Sequence, residues 1–593
     1  MKVIFVNPAC LDQRVTDQDT QVVPIGLYYL AAQLMDMGIP APILNLAHTG
    51  GPRPDAQGSP LDPLALFRAT IQKERPDIIG FSVTNPSRIN AIACARIARE
   101  CLPQALILFG GPAPTFMADH LFKACPELDV VVKGEGEIPV VRLAAAVQNH
   151  LADKAPGPDA SCDRLPQTLN KIPGLVFRQG DKLVDTGPAP VVENLDTLVH
   201  PSKYFAYQHL AMSRGCPGKC TFCGSPRFWG ASGVRRHSPD WIFTEIQALA
   251  RSGVSHFFMS DDTFTMDREA VLALCDKIID AGLAITWNAI SRVDYIDAEL
   301  LKAMRRAGCI QISFGVESGS PQIRKTLGKP IDDETTVRAF SLAKSYGILP
   351  RAYFIYGSPG ETSETIDESI ALMERLAPLG TVFYMLVLFP GTHLYARALK
   401  KGWVDKDIWF RDIEDIPWFE LDPGLDFERV KEFGDRLRQA FFSRLHRFVR
   451  EIDLVPDKEM TPYHADFLSR LALTFSHGEY ADDPRIKDPE HIAATLFERA
   501  LTFARDPRAY LGLGMILQKN KQFPEAVARL EQGLKHFPGH KDLCVCMGVC
   551  LMNLGEFDKA LSFFTPFDSD PGLGHYIKIC KQQNKPPKRG ITP

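Results

Sequence analysis

The stretch MSRGCPGKCTFCGSPRFWG, residues 212–230, sets Cys216, Cys220 and Cys223 in a loop of glycines, prolines and basic side chains. Thiols spaced Cys-x3-Cys-x2-Cys can bind a metal, pair as a disulfide or hold an iron–sulfur cluster. Structural zinc takes four ligands, commonly as two close pairs. Here the next cysteine along the chain is Cys275 and the next histidine His237, neither with a partner beside it. A disulfide would leave one thiol over. A 4Fe–4S cluster on three thiolates makes use of the missing ligand, because one iron stays open to a small chelating molecule. Pro217, Gly218 and Gly224 break any regular helix, so the loop can wrap a cluster and aim backbone N–H groups at its sulfurs. Spacing alone still leaves zinc or incidental thiols open.

The elements that must position this loop read as alternating strands and helices. Strand candidates HLAMSR (209–214), HFFMSDD (256–262), AITWNAIS (284–291), IQISFGVES (310–318), RAYFIYGSPGE (351–361) and VFYMLVLFPGT (382–392) alternate with helices at 239–251, 267–281, 297–307, 332–346 and 362–377. That repeat predicts an incomplete β/α barrel over 205–400, with its chemistry at the carboxyl ends of the strands. Residues 1–150 alternate in the same way. VIFVNP, DIIGFSV, ALILFGG and DVVVKGEGE are buried-strand runs, and 25–38 and 88–102 carry helical spacing. The expectation is a doubly wound Rossmann-like domain whose ligand sits at the strand ends, near Ser82, Thr84, Gly110, Gly111, Gly134 and Gly136. Taken alone, such turn residues fit any α/β domain.

Between these regions, 151–204 reads as a linker followed by a β-hairpin at Gln179-Gly180-Asp181. Residues 401–490 read as a helical extension, their tryptophans as core. From 491 to 580 Gly514 recurs as Gly548, Phe523 as Phe557 and Ala526 as Ala560, each 34 residues on, a tetratricopeptide pattern. Cys544, Cys546 and Cys550 in this region have no fourth ligand in register and read as packing residues. Residues 581–593 read as a disordered tail.

The chain has 593 residues, net charge −4, 45% apolar and 23% charged residues, which fits a multidomain globular protein without a basic field for nucleic acid. The start MKVIFVNPA has no signal-peptide layout, and no run long enough to span a bilayer occurs. Fourteen cysteines without such a signal favour a reducing cytoplasm.

The triplet, with Phe222 before its last cysteine, resembles that of the radical S-adenosylmethionine (SAM) superfamily. FFMSDDTFT, WNAISRVDYID, GVESGSPQIRKTLGK, YFIYGSPGE and FPGTHLY follow in the order seen there. VVPIGLYYLAAQL, PDIIGFSVT, LFGGPAPT and VVVKGEGEIP resemble the cobalamin-binding domain fused to one branch, the class B methyltransferases among them. The resemblance covers about residues 1–400. It implies that Cys216, Cys220 and Cys223 ligate three irons, that SAM chelates the fourth, and that reductive cleavage yields a 5′-deoxyadenosyl radical. It implies Glu317 as acceptor for the ribose hydroxyls, Lys329 as cation for the SAM carboxylate, and Asp261 or Asp262 for its ammonium. Lys329 could equally be solvated, and the two aspartates could equally cap the next helix. Gly357, Pro359 and Gly360 fall at the adenine-side turn. The Asp-x-His-x-x-Gly cobalt-ligating motif is missing, and His48 reads as a loop histidine, so no protein imidazole is expected beneath cobalt.

The activity so implied is methylation of an unactivated carbon, or phosphorus, through methylcobalamin, on a small-molecule or peptide substrate. A low-potential donor such as flavodoxin or ferredoxin would supply electrons, and the repeats could recruit a protein partner. The alternatives are oxidative cyclisation or rearrangement with the same cofactors, and a cobalamin-responsive scaffold without catalysis. A methylthiotransferase would need a second cysteine set, but Cys10, Cys94, Cys101, Cys125 and Cys162 are scattered.

Overall fold

The computed structural model describes residues 1–10, 22–47, 62–153, 168–230, 233–411, 413 and 415–583. The first sheet has seven strands in the order β2-β1-β3-β4-β5-β6-β7. These are β1 (Val3–Asn7), β2 (Ile43–Asn45), β3 (Ile78–Ser82), β4 (Leu106–Gly110), β5 (Val130–Val132), β6 (Leu175–Gln179) and β7 (Lys182–Asp185). The first five are parallel. Successive strand residues feed different cores: Ile4, Val6, Ile79 and Phe81 join one buried cluster, Val3, Phe5 and Ile78 another. A sheet buried on both faces requires such continuous apolar strands. The first cluster runs on without a break into the second sheet, through Met259, Trp287 and Phe314.

The hairpin expected within a linker is β6–β7, but it does not stand free. β6 pairs antiparallel with β5, so the hairpin forms the edge of the first sheet. The apolar Leu175, Val176 and Phe177, all buried, bring it there. The proline-rich run 154–167, with Cys162, lies outside the described residues, as does His48.

The second sheet is wholly parallel, in the order β15-β14-β13-β12-β11-β8. Its strands are β8 (His209–Leu210), β11 (His256–Met259), β12 (Thr286–Ser291), β13 (Cys309–Glu317), β14 (Leu349–Tyr356) and β15 (Gly380–Met385). The intervening helices run Pro239–Arg251, Arg268–Asp280, Ala298–Arg306, Asp333–Ser345 and Ser363–Leu376. Ser238, Asp267, Asp297, Asp332 and Thr362 cap them, each accepting a bond from a first-turn backbone N–H.

The run 209–214, read as one strand, is two. After Leu210 the chain leaves the sheet, and β9 (Ser213–Arg214) pairs antiparallel with β10 (Arg235–Arg236). The buried Asp261 carboxylate causes the break by accepting the backbone N–H groups of Met212 (3.0 Å) and Ser213 (2.6 Å) and the Ser213 hydroxyl (2.6 Å).

The helix Phe427–Arg450 packs on β15 and on the helix Ser363–Leu376. Helices Thr461–Ser476 and Pro489–Phe503 pack together, then Pro507–Lys519 with Phe523–His536, and Lys541–Asn553 with Phe557–Phe564. Gly514 and Gly548 make these pairs close, since a Cβ at either would meet Leu530 or Phe564 within 2.7 Å. Cys544, Cys546 and Cys550 are buried among these helices. Among the described residues no helix is long and apolar enough to cross a membrane.

Candidate functional site: a cysteine loop facing a glycine-lined cavity

The three cysteines lie between β9 and β10, on a loop pinned from across the barrel. The Thr221 N–H donates to the Leu327 carbonyl (2.8 Å), its hydroxyl to that of Thr326 (3.1 Å), and Leu394 N–H to the Thr221 carbonyl (2.9 Å). Gly328, at φ +68°, permits this approach, because a Cβ there would meet Lys219 O at 2.8 Å. Gly218 donates its N–H to Cys216 Sγ (3.4 Å). A Cβ on Gly218 would intrude 3.3 Å from Cys216 Sγ and 3.7 Å from Cys220 Sγ. Burial pushes the Cys223 thiol up to about 11 and raises that of Cys220, against which Lys329 and Arg292 pull downward. Phe222 packs partly buried against the barrel core.

The zinc alternative loses its remaining ligands. His237 has both ring nitrogens engaged, with the Tyr29 hydroxyl (3.1 Å) and Asp196 (3.2 Å), and Cys275 is buried in the helix Arg268–Asp280. Among the described residues no three His, Cys, Asp or Glu side chains converge where a single ion could sit. Three soft thiols, an N–H aimed at sulfur and two nearby cations match the needs of an anionic iron–sulfur cluster held by three protein ligands.

Glu317 ends β13 at φ +65°, where the register with β14 shifts. A glutamate seldom adopts this conformation, and such strain gathers at functional sites. Its carboxylate accepts from Lys329 Nζ at 2.7 Å, both side chains being 8% exposed. Lys329 is therefore not solvated. Gly315 makes room for the pair, since a Cβ there would lie 2.3 Å from Glu317 Oε1 and from Lys329 Nζ. Gly357, at φ +78°, opens the turn after β14, and the buried Glu361 carboxylate accepts the N–H groups of Gly357 (2.5 Å) and Ser358 (3.2 Å). Burial lifts the Glu361 carboxyl to about 7. Pro359 is half-buried and Gly360 exposed at the tip of that turn.

Asp261 is occupied by the break after β8 and has no oxygen directed to a ligand's ammonium; burial raises it to about 6. Nor does either aspartate cap the following helix, which Asp267 does. Asp262 is exposed and accepts from Ser225 Oγ (2.5 Å) and Trp229 Nε1 (3.2 Å). Arg292, at the end of β12, escaped the reading of the sequence. It lies between Asp294 (2.8 Å) and the thiols of Cys216 and Cys220, and its place at a strand terminus was the available signal.

At the strand ends of the first sheet lies a cavity of about 190 Å³. Ser82, Gly110, Gly111, Gly134 and Gly136 line it, with Tyr29, Phe81 and Leu108. Its other wall comes from the barrel: Ala211, Ser213, Arg214, Phe228, Trp229, Ser260 and Asp262. Thr84 is not in the lining; its N–H bonds Ser87 Oγ at 3.0 Å and serves the turn into the next helix. Gly111 at φ +104° allows a close turn there, since a Cβ would meet Val83 O at 3.0 Å. An apolar, glycine-edged hollow at a sheet's carboxyl edge, where backbone can approach a ligand closely, suits a flat macrocycle with a nucleotide tail.

Residues 210–373 match the model of the Radical SAM superfamily, 15–144 that of the B12 binding domain and 517–566 a tetratricopeptide repeat. An uncharacterized methyltransferase of Pyrococcus horikoshii is 29% identical over 457 residues, 75% of this chain and 92% of that protein. The anaerobic magnesium-protoporphyrin IX monomethyl ester cyclase of Cereibacter sphaeroides is 30% identical over 342 residues, 55% of this chain and 53% of its own length. Cytidylyl-2-hydroxyethylphosphonate methyltransferase of Streptomyces wedmorensis is 27% identical over 494 residues, covering 75% and 91%. In fold, the chain is similar to the radical SAM methyltransferase TsrM of Kitasatospora setae, solved with cobalamin and a 4Fe–4S cluster, with TM-score 0.58, 18% identity and coverage of 84% and 99%. The cysteine loop on its parallel barrel, together with these matches, defines a radical SAM enzyme. With a B12 binding domain before the barrel and a tetratricopeptide repeat after it, the chain carries the domain set of cobalamin-binding radical SAM enzymes.

Proposed function

We propose that the protein is a cobalamin-dependent radical SAM methyltransferase acting on an unactivated carbon or on phosphorus. One observation carries the reading: the cavity at the first sheet's carboxyl edge is closed by the barrel residues Ser213, Arg214, Trp229, Ser260 and Asp262, beside the cysteine loop. The cobalamin cavity and the cluster loop would thus lie side by side, which supports one substrate meeting both cofactors. The relatives matched over nine-tenths of their own length are methyltransferases by name, whereas the cyclase is matched over half.

When bound, the cluster with SAM supplies a carbon-centred radical, and cobalamin carries the methyl group. Everything else falls to the chain. Cys216, Cys220 and Cys223 would hold the cluster, and Gly218 N–H steadies the first thiolate. Glu317, hydrogen-bonded to Lys329, would accept a ribose hydroxyl, with Arg292 meeting the SAM carboxylate. Asp262 is the one aspartate of its pair open to the ammonium. The turn Gly357–Gly360, braced by Glu361, would border adenine, and Phe222 with the barrel core excludes water. A flavodoxin or ferredoxin would deliver electrons in a cytoplasmic setting, and the repeats would engage a protein partner.

The test is anaerobic: protein reconstituted with iron, sulfide and cobalamin is given SAM and a low-potential reductant, and two products are counted. S-adenosylhomocysteine that depends on cobalamin, alongside 5′-deoxyadenosine, is expected. Deoxyadenosine alone would shift the assignment to cyclisation or rearrangement. Undiminished SAM cleavage by Cys220→Ala would overturn the cluster assignment.

A further inference from the structure

Four buried charges tie the cysteine loop to the cobalamin cavity. After β5 the chain runs through Gly134, Glu135 and Gly136 into Glu137, the first residue of the helix Glu137–Asp153, and all four line the cavity. Arg214 and Arg235, cross-strand partners on β9 and β10, stand at the two ends of the segment that holds the cysteines. Glu137 Oε1 accepts from Arg214 Nη2 at 2.6 Å. Glu135 accepts from Arg235 Nη1 at 3.1 Å and from Val192 N–H at 3.0 Å, and lies 3.4 Å from Arg214. The four side chains are 2–7% exposed. Two guanidiniums facing each other across a ribbon repel, and only the glutamates of the other sheet make that pairing tolerable. The Arg214 guanidinium also lies over the rings of Tyr29 (5.1 Å) and Trp229 (5.6 Å), two further cavity walls.

We infer that Arg214 is a positioning residue: with Glu137 it couples cobalamin occupancy of the cavity to the geometry of the cysteine loop and so to SAM binding. The inference rests on the cobalamin reading above. A macrocycle in this cavity would meet Tyr29 and Glu137, the side chains that fix Arg214, and Cys216 is two residues further on. Packed, ion-paired contacts have discrete arrangements, so what loads one site biases the other, and by linkage the effect is reciprocal.

The measurement uses the full chain with its cluster reconstituted and compares SAM affinity with and without hydroxocobalamin. The native chain should bind SAM at least roughly fivefold more tightly when loaded. In Arg214→Lys, which keeps a charge but loses the forked contact, the ratio measured at saturating hydroxocobalamin should fall towards one while iron content persists. The electron paramagnetic resonance spectrum of the reduced cluster should respond to cobalamin in the native chain and not in the variant. Glu137→Gln provides the same test from the other sheet if Arg214→Lys does not fold. A ratio of one in the native chain, or a ratio unchanged in whichever variant folds, overturns the coupling alone. No cobalamin binding by the native chain overturns the cobalamin reading and the coupling with it.

Discussion

The Glu317–Lys329 pair gives the sharpest quantitative expectation. Lys329 satisfies Oε1 of the carboxylate at 2.7 Å, which leaves the other oxygen for a ribose hydroxyl. In Glu317→Gln that acceptor becomes neutral or turns into a donor, and Lys329 loses its counter-charge in a site where each side chain is 8% exposed. A charge-assisted hydrogen bond contributes about 1.5–3 kcal/mol, so SAM affinity should drop roughly 10- to 100-fold. Lys329→Met reaches the same endpoint by another route. It strands a buried carboxylate without its cation and so weakens the same acceptor. The two losses are one loss. The double variant should therefore bind SAM no worse than either single one, giving a coupling of about 1.5–3 kcal/mol in a double-mutant cycle. Anaerobic equilibrium binding of SAM to reconstituted protein reads this, with iron content and melting temperature as controls for folding. Additive losses would refute the argument, as would Lys329→Met binding SAM within twofold of the native chain.

Two further outcomes follow from local geometry. Gly218→Ala places a methyl group 3.3 Å from Cys216 Sγ and should lower the iron retained after reconstitution, while Gly224→Ala, whose Cβ would meet nothing within 4 Å, should not. Glu361 tests the pH dependence: its carboxyl stands near 7 in the fold against an ordinary 4.5, so its protonated form is favoured by folding. The stability this contributes is full below about pH 4.5 and is lost as pH rises through 7, about 3 kcal/mol in all. The melting temperature of the native chain should fall over that window more steeply than that of Glu361→Gln; parallel curves would remove the carboxyl from the account.

Much of this could be read from the chain because the signals were local. Buried parallel strands are continuous apolar runs, and the barrel helix Pro239–Arg251 spans the residues that its spacing and the Ser238 cap indicate. The cysteine triplet is likewise self-contained. What escaped depended on distant partners. Nothing near Glu135 or Glu137 in sequence shows that each meets an arginine about eighty to a hundred residues away. Asp261 looks free for a ligand in the sequence because the donors it binds, Met212 and Ser213, lie about fifty residues earlier in the chain. Thr84 sits at a strand end like Ser82, but Ser87 claims it. The hairpin β6–β7 is legible at its turn Gln179-Gly180-Asp181, but its place at the edge of the first sheet is not, because pairing with β5 leaves no local mark beyond three apolar residues.

The way the repeats attach decides what they can do. Helix Thr461–Ser476 is locked to the barrel: Arg305 donates to the Tyr463 carbonyl at 2.8 Å and to Asp466 at 2.6 Å, and Gly347 abuts Phe467. Arg508 of the next helix pair holds Asp466 as well, at 2.7 Å. Arg305 and Gly347 lie just ahead of β13 and β14, on the floor of the barrel, whereas the cysteine loop and the cavity crown its opposite rim. The tail is thus a bracket bolted beneath the reaction chamber. Anything that bound there would stand on the far side of the barrel from the cysteine loop and the cavity.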